Sequence, residues 1–380
     1  MRIIENNFYG HLDILRGYSD LDKNYYIFGN VQHGWMMGSG ISGDLRTRPK
    51  PFNYYLWNED NERDAKNIGY KNTKIIGAPF VYLNSNICSE KSVSDKSLLV
   101  FPSHSCEWVF IEDYVVWYRD YYNDLRKFCK NNDINNVTIC LYWYEFKNSI
   151  LRSLTEKYGY NIVTLGHRDN NPKYLYKFLD ICSKHEMVVT NVFSSALFYA
   201  LYLGKKTFVF PKEVNYTFAE TKTVFSTRNN EFYSKKYRFL LYENYDGSTY
   251  KDVGDYELGL YYKIPKELIR KEICWHKENK NKISIDEYES KIFHYKKTFI
   301  YLNVRQLRKS VNSDKYSKVL YQLFKFEMVL EDFALAKRYL KRSLQTKFNL
   351  IHLCAFVLYL ISKKFLSKVY VFILKRRLKW

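Results

Sequence analysis

The 380-residue chain has no Cys-x-x-Cys pair, no Gly-x-x-x-x-Gly-Lys and no internal repeat at a fixed period. Without that glycine motif, the close backbone approach to phosphates used by P-loop ATPases has no carrier. The seven cysteines (Cys88, Cys106, Cys129, Cys140, Cys182, Cys274 and Cys354) are odd in number and scattered. That pattern suggests neither a disulfide framework nor a zinc site and fits a reducing compartment. The opening Met1-Arg2-Ile3-Ile4-Glu5-Asn6-Asn7 lacks the apolar run of a signal peptide, so the expected location is the cytoplasm. Acidic residues are absent from Phe333 to Trp380.

What the chain does have is apolar and aromatic surface: 46% hydrophobic residues, with 37 Tyr and 26 Phe. This excludes a disordered chain, and the length predicts two to three domains at roughly 100 to 200 residues each. The formal charge is +20, and twelve Lys or Arg between Phe333 and Trp380 supply +12 of it. A positive field so localised calls for a local anionic partner.

From Ser97 onward, short apolar runs alternate with amphipathic segments of helical length, the mark of βαβ units and a parallel sheet. The expected strands are 98–101, 137–143, 161–165, 187–190 and 207–210, with helices near 112–130, 146–158, 172–186 and 195–203, the last closed by Gly204. In the first 95 residues, 25–31, 54–57 and 74–76 read as strands and 61–68 as a helix. Residues 211–265 carry no clear pattern. Helices are expected near 284–310 and 315–346. The domain boundaries that follow are 1–95 and 96–265 for two α/β lobes, 266–347 for a helical segment and 348–380 for a basic tail.

Several strand ends carry candidate chemistry. In Thr190-Asn191-Val192-Phe193-Ser194-Ser195 a strand turns into a helix, which would set two hydroxyls and free N–H groups at a helix N-terminus suited to a diphosphate. The alternative is a serine that serves only as an N-cap. Ser103-His104-Ser105 follows the first strand of this lobe; its hydroxyls suit a phosphate, and His104 suits leaving-group charge. Gly166-His167-Arg168-Asp169 offers His167 and a guanidinium able to grip a phosphate in bidentate fashion. Tyr142-Trp143-Tyr144-Glu145 offers a ring for a base and the Glu145 carboxylate for ribose hydroxyls. For each of these the competing reading is a core aromatic or an exposed polar loop.

Four stretches follow one another along the chain: Gln32-His33-Gly34-Trp35, Ile76-Gly77-Ala78-Pro79, Leu98 to Ser103, and the Ser194-Ser195 helix. In that order they resemble the GT-B glycosyltransferases of bacterial capsule and lipopolysaccharide biosynthesis and, more distantly, the CDP-glycerol glycerophosphotransferases. The resemblance implies an α/β fold of two Rossmann-like lobes with a C-terminal helical extension. It also implies a nucleotide-sugar donor, with the Ser194-Ser195 helix as its phosphate element; Ser103, His104, Glu145, His167 and Arg168, at the neighbouring strand ends, are the further candidates for holding it. In the glycerophosphotransferase-like relatives the residue matching His33 is the general base, and an imidazole of ordinary pKa suits that work. His33 is followed by Gly34, Gly38, Gly40 and Gly43 and is expected in a loop where open α/β folds bind ligands. The run Trp35-Met36-Met37-Gly38 departs from those relatives, which favours a sugar donor over a polyol donor.

The metal-dependent GT-A plan needs an Asp-x-Asp after a strand. The triplet Asp20-Leu21-Asp22 precedes the first clear strand and reads as a turn, so neither a metal nor another cofactor is expected.

In the tail, Leu350 to Ile361 is apolar but short of the roughly 20 residues that span a bilayer. With Lys363, Lys364, Lys368, Lys375, Arg376, Arg377 and Lys379 beside it, the segment reads as an interfacial helix on the inner face of the cytoplasmic membrane. The alternative is a helix packed on the body. The expected activity is sugar transfer to a glycan or lipid-linked acceptor. The alternatives are polyol-phosphate transfer and a non-catalytic basic protein that binds membrane or nucleic acid; nucleic acid is not the expected partner.

Overall fold

The computed structural model describes residues 6–22, 25–27, 29–35, 53–83, 94–106, 109–169, 171–219, 221, 223–226, 235–270, 274–276, 337, 340 and 341. The architecture below lies in one compact unit, Ile4–Arg46 with Lys50–Lys277. Residues 337, 340 and 341 are helical and belong to a second unit. The rest of the expected C-terminal helices and all of the basic tail lie outside the described residues.

After a turn at Phe8–Gly10, α1 (His11–Tyr18) buries Leu12, Ile14 and Leu15. Next come β1 (Tyr25–Ile27), β2 (Asn30–Val31), β3 (Tyr54–Leu56), α2 (Glu59–Asn67) and β4 (Thr73–Ile75). Strand and helix then alternate: β5 (Ser94–Phe101), β6 (Val109–Ile111), α3 (Tyr114–Asn131), β7 (Asn136–Cys140), α4 (Trp143–Phe146), α5 (Ser149–Lys157), β8 (Asn161–Val163), α6 (Tyr174–Ser183), β9 (His185–Thr190), α7 (Ser195–Tyr202) and β10 (Lys206–Val209). They are followed by β11 (Asn215–Phe218), β12 (Val224–Ser226), α8 (Lys251–Glu257), α9 (Lys266–Leu268) and β13 (Cys274–His276).

The larger sheet is parallel throughout, in the order β10-β9-β5-β7-β8. The smaller is also parallel, in the order β2-β3-β4. This is an α/β fold with two Rossmann-like sheets. An antiparallel ribbon, β12-β11-β6, and an antiparallel pair of β1 with β13 accompany them.

Alternation along the strands assigns the two faces. Leu98, Val100, Val189 and Phe208 enter one core with α3 residues Tyr118, Tyr121 and Leu125, while Leu99, Val188 and Val209 enter the other with Phe178, Leu197 and Leu201. Both faces are therefore covered, as all-parallel sheets require. The second of these cores also contains Val31, Tyr55, Trp57, Ile76 and Phe80 from around the smaller sheet. Phe80 stacks on Tyr199 at 4.4 Å and Trp35 lies 4.4 Å from Phe198, so α7 sits in a core common to both sheets. Each such buried side chain contributes about 1.5–3 kcal/mol.

Several expected elements differ in detail. The run 25–31 is two strands, and the strand expected over 137–143 stops at Cys140. Trp143–Phe146 is instead a helical turn. The single helix expected over 146–158 is interrupted because Asn148 is extended and accepts from Ile150 N and Leu151 N, capping α5. Helix α1, unanticipated, packs on the Pro79–Tyr82 turn with Tyr18 and Tyr82 rings 4.8 Å apart.

Residues 211–265, which showed no pattern, return the chain to the smaller sheet. The backbone of Gly254 lies against Leu201 and Tyr202, Ala78 N donates to Leu258 O at 2.7 Å, and Gly259 meets Trp57. Gly259 has φ +64°, and a Cβ there would fall 1.7 Å from Trp57 O. Gly259→Ala is expected to destabilise the unit by about 3 kcal/mol or more, since both the backbone and the contact oppose it. A urea midpoint like that of the unsubstituted protein would contradict this close approach.

Candidate functional site

Open α/β sheets bind ligands beyond the carboxyl ends of their strands. Every candidate residue among the described positions lies in a segment that follows such an end, although the segments differ in what they leave open.

Beyond β2, Gln32 is fully buried; its amide accepts from Trp57 N at 3.1 Å and donates to Gly34 O at 3.2 Å. His33 follows, partly exposed, with the ring of Phe8 4.3 Å away and that of Tyr9 5.2 Å away. Trp35 N then donates to Ser195 Oγ at 2.9 Å. A Cβ on Gly34 would lie only 3.0 Å from that hydroxyl, so glycine lets the His33 loop approach α7. Gly38, Gly40 and Gly43 lie outside the described residues.

Beyond β9, Ser194 is the N-cap residue of α7 in extended conformation, but its side chain makes no capping bond. The hydroxyl of Ser195 is turned to Trp35. The two serines thus divide their work: Ser195 joins the two sheets, and Ser194 stands partly exposed at the helix start.

Beyond β5, Ser103 is buried and exchanges hydrogen bonds with Asn191, its N–H donating to Oδ1 at 2.6 Å and its Oγ accepting from Nδ2 at 2.9 Å. Its carbonyl accepts from Tyr118 OH at 2.8 Å. Ser103 therefore braces the β5 and β9 ends. His104 is partly exposed, with its ring 4.1 Å from that of Tyr142.

Glu145 is buried, and its Oε1 accepts from Ser105 N at 2.5 Å. Its Oε2 is enclosed without a hydrogen-bond partner. Burial pushes the carboxyl up to about 7, against the bond from Ser105, which favours the charged form. The side chain holds the 103–105 loop in shape.

Beyond β8, Gly166 (φ +83°) opens the turn bearing His167 and Arg168. His167 Nδ1 accepts from Asp169 N at 3.1 Å, and its ring lies 4.8 Å from Trp143. The Arg168 guanidinium lies 3.6 Å from Asp169 and over the ring of Tyr142 at 5.9 Å. Burial opposes its charge, but the Tyr9, Tyr142 and Asp169 oxygens more than offset it and raise the group. Arg168 thus remains a cation beside the sheet edge.

The sequence reading missed the N-terminal segment. Tyr9, in a left-handed conformation at φ 56°, donates its N–H to Arg168 O at 2.6 Å and thereby links Arg168 to the His33 loop. His11 is fully buried with both ring nitrogens unpartnered; burial first, and then the His33 charge, pull it down to about 3. It stays neutral through the ordinary pH range. Nothing in Phe8-Tyr9-Gly10-His11 marks it as site-forming, because its proximity to His33 and Arg168 arises only when α1 folds back. Glu257 and Asn191 were also missed; Asn191 alone had a local sign, as the first residue after a strand.

Among the described residues no three His, Cys, Asp or Glu side chains are grouped so as to hold a metal ion, and no helix is long and apolar enough to cross a membrane. The sequence matches no protein-family model and no curated protein sequence. Among solved structures, the chain is similar to UDP-GlcNAc 2-epimerase from Neisseria meningitidis bound to UDP-GlcNAc, with 12% identity and a TM-score of 0.30 over 55% of this chain and 54% of that one.

The Glu145 carboxyl predicts a pH dependence. Its folded value of about 7 exceeds its ordinary 4.5, so between these values the native state holds the extra proton. Its contribution to stability is therefore full at low pH, falls as pH rises through that window and levels off above about 7, a loss on the order of 3 kcal/mol. Glu145→Gln should flatten this decline in urea denaturation between pH 5 and pH 8. An unchanged slope would mean that Glu145 is not the group titrating.

Proposed function

We propose that this protein is a GT-B-like glycosyltransferase that moves a sugar from a nucleotide-sugar donor to a lipid-linked glycan acceptor in cell-surface polysaccharide synthesis, without an essential metal. The observation that carries the reading is the contact of the His33 loop with the start of α7, Trp35 N to Ser195 Oγ at 2.9 Å, with Arg168 tied to the same neighbourhood through Tyr9. In this reading a proton-accepting imidazole and an anion-binding helix start with a guanidinium face one reaction space.

His33 removes the proton from the acceptor hydroxyl as it attacks the anomeric carbon. Arg168, Ser194 and the N–H groups of the first α7 turn take up the charge that grows on the departing nucleoside diphosphate. His104 and His167 flank that leaving group. Ser103, Ser195 and Glu145, each engaged in bonds between loops, shape the donor side. The domains divide the work as an acceptor lobe (1–95), a donor lobe (96–265), a helical segment (266–347) and a membrane-associating tail (348–380).

The test pairs binding with turnover. Thermal stabilisation against UDP, GDP, CDP, CMP and dTDP should identify one nucleotide that adds about 2.7 kcal/mol at one hundred times its dissociation constant. Arg168→Gln should abolish most of that gain. His33→Ala should keep it while lowering turnover of the matching nucleotide sugar on the order of a hundredfold. Full turnover by the His33 variant removes it from the mechanism, and stoichiometric phosphorus in the product replaces sugar transfer by polyol-phosphate transfer.

The cationic tail supplies the second half of the proposal, residence at the cytoplasmic membrane surface close to a lipid-linked acceptor. Each basic residue at an anionic surface contributes about 1 kcal/mol. Co-sedimentation with anionic vesicles should be strong at low salt, weaken with added salt and disappear on truncation after Lys347. Full-length protein left in the supernatant at low salt would refute the membrane association.

A further inference from the structure

We infer that Glu257, the last residue of α8, is a positioning residue that sets the orientation of the His33 loop. The residue is 5% exposed. One oxygen accepts from the Trp35 indole Nε1 at 2.6 Å, and the other accepts from Lys236 Nζ at 3.1 Å and from the Tyr237 hydroxyl. A buried carboxylate is costly unless donors surround it, and here three converge from two distant segments of chain.

The carboxylate is itself held on a fixed frame. Asn58 Nδ2 donates to Glu257 O at 3.1 Å, and the next residues, Leu258 and Gly259, lie against Ala78 and Trp57. The same Asn58 caps α2 through Asn61 N at 3.0 Å. Glu257 therefore cannot drift with the loop it holds.

The surroundings show what this bond adds. Packing on Phe198 at 4.4 Å holds the Trp35 ring in place, but dispersion is weakly directional. A hydrogen bond to Nε1 selects one rotation of the indole. With Trp35 N already on Ser195, both ends of the residue are fixed, and His33, two positions earlier, inherits a defined aim. Residues 235–257, unassigned by sequence pattern, thereby act on the base from a separate stretch of chain. The effect on turnover rests on the proposed role of His33; the positioning itself does not.

The test reads His33 without any substrate. Full-length protein is treated with diethyl pyrocarbonate, and carbethoxylation of His33 is followed by peptide mass spectrometry with His167 as internal reference, thermal denaturation reporting whether each variant is folded. Glu257→Leu and Trp35→Phe should each change the His33 rate relative to His167 severalfold, because the modification rate follows the exposure and orientation of the imidazole. Glu257→Gln should restore most of it, because the side-chain carbonyl still accepts from the indole. If the leucine variant does not fold, the glutamine and phenylalanine variants carry the comparison. Folded variants with an unchanged His33 rate, or a glutamine variant as altered as the leucine one, overturn the proposal. A shifted His33 rate in a protein that binds none of the nucleotides defeats the transferase reading and leaves the positioning role standing.

Discussion

The two parallel sheets depend on one apolar helix with almost no solvent face. In α7, Leu197, Phe198, Tyr199, Ala200 and Leu201 are all buried, so the helix must be enclosed on every side and not merely laid on a sheet. One side rests on β9 and β10, another meets Phe80 and Trp35 from the smaller sheet, and the backbone of α8 closes the third at Gly254. A helix so enclosed brings its first turn to the place where both sheets present their strand ends. The candidate site is a by-product of that enclosure.

Enclosure also explains why so many polar groups near the site are committed to one another. Buried polar atoms are costly without partners, and Ser103 with Asn191, Gln32 with Trp57, and Glu257 with Trp35 meet this requirement across separate segments of chain. Oε2 of Glu145 and both nitrogens of His11 are among the buried polar atoms that stand outside the rule, with no hydrogen-bond partner. Burial favours the uncharged form of each, which is the direction in which both pKa values move. Charge at this edge is thereby concentrated on Arg168, where nearby oxygens outweigh burial.

Much of the larger sheet was legible in sequence because its strands are buried on both faces and read as short continuous apolar runs separated by helices of ordinary length. Leu98 to Phe101 and Val188 to Thr190 are of this kind. The return of the chain through 235–270 was illegible for the converse reason. Its contacts are made by backbone at Gly254 and Gly259 and by scattered polar side chains, which leave no period behind. Helix α1 was hidden by its shortness, since a helix of that length is stabilised by tertiary packing more than by its own propensity.

Short continuous apolar runs and helix length, both local properties of the chain, determined the α/β class, the larger parallel sheet and the positions of His33, Ser103, Glu145, Arg168 and Ser194 after strand ends. Which of those residues face outward and which are used up in holding loops together was decided only by tertiary structure. Ser195 and Ser194 are adjacent and chemically identical, yet one is bonded to Trp35 and the other stands partly exposed at the helix start. That difference comes from Gly34, some 160 positions away in sequence, because the absence of a Cβ there lets the loop come within hydrogen-bonding reach of the hydroxyl. No pattern confined to either segment encodes that approach; it exists only when both sheets have closed on α7.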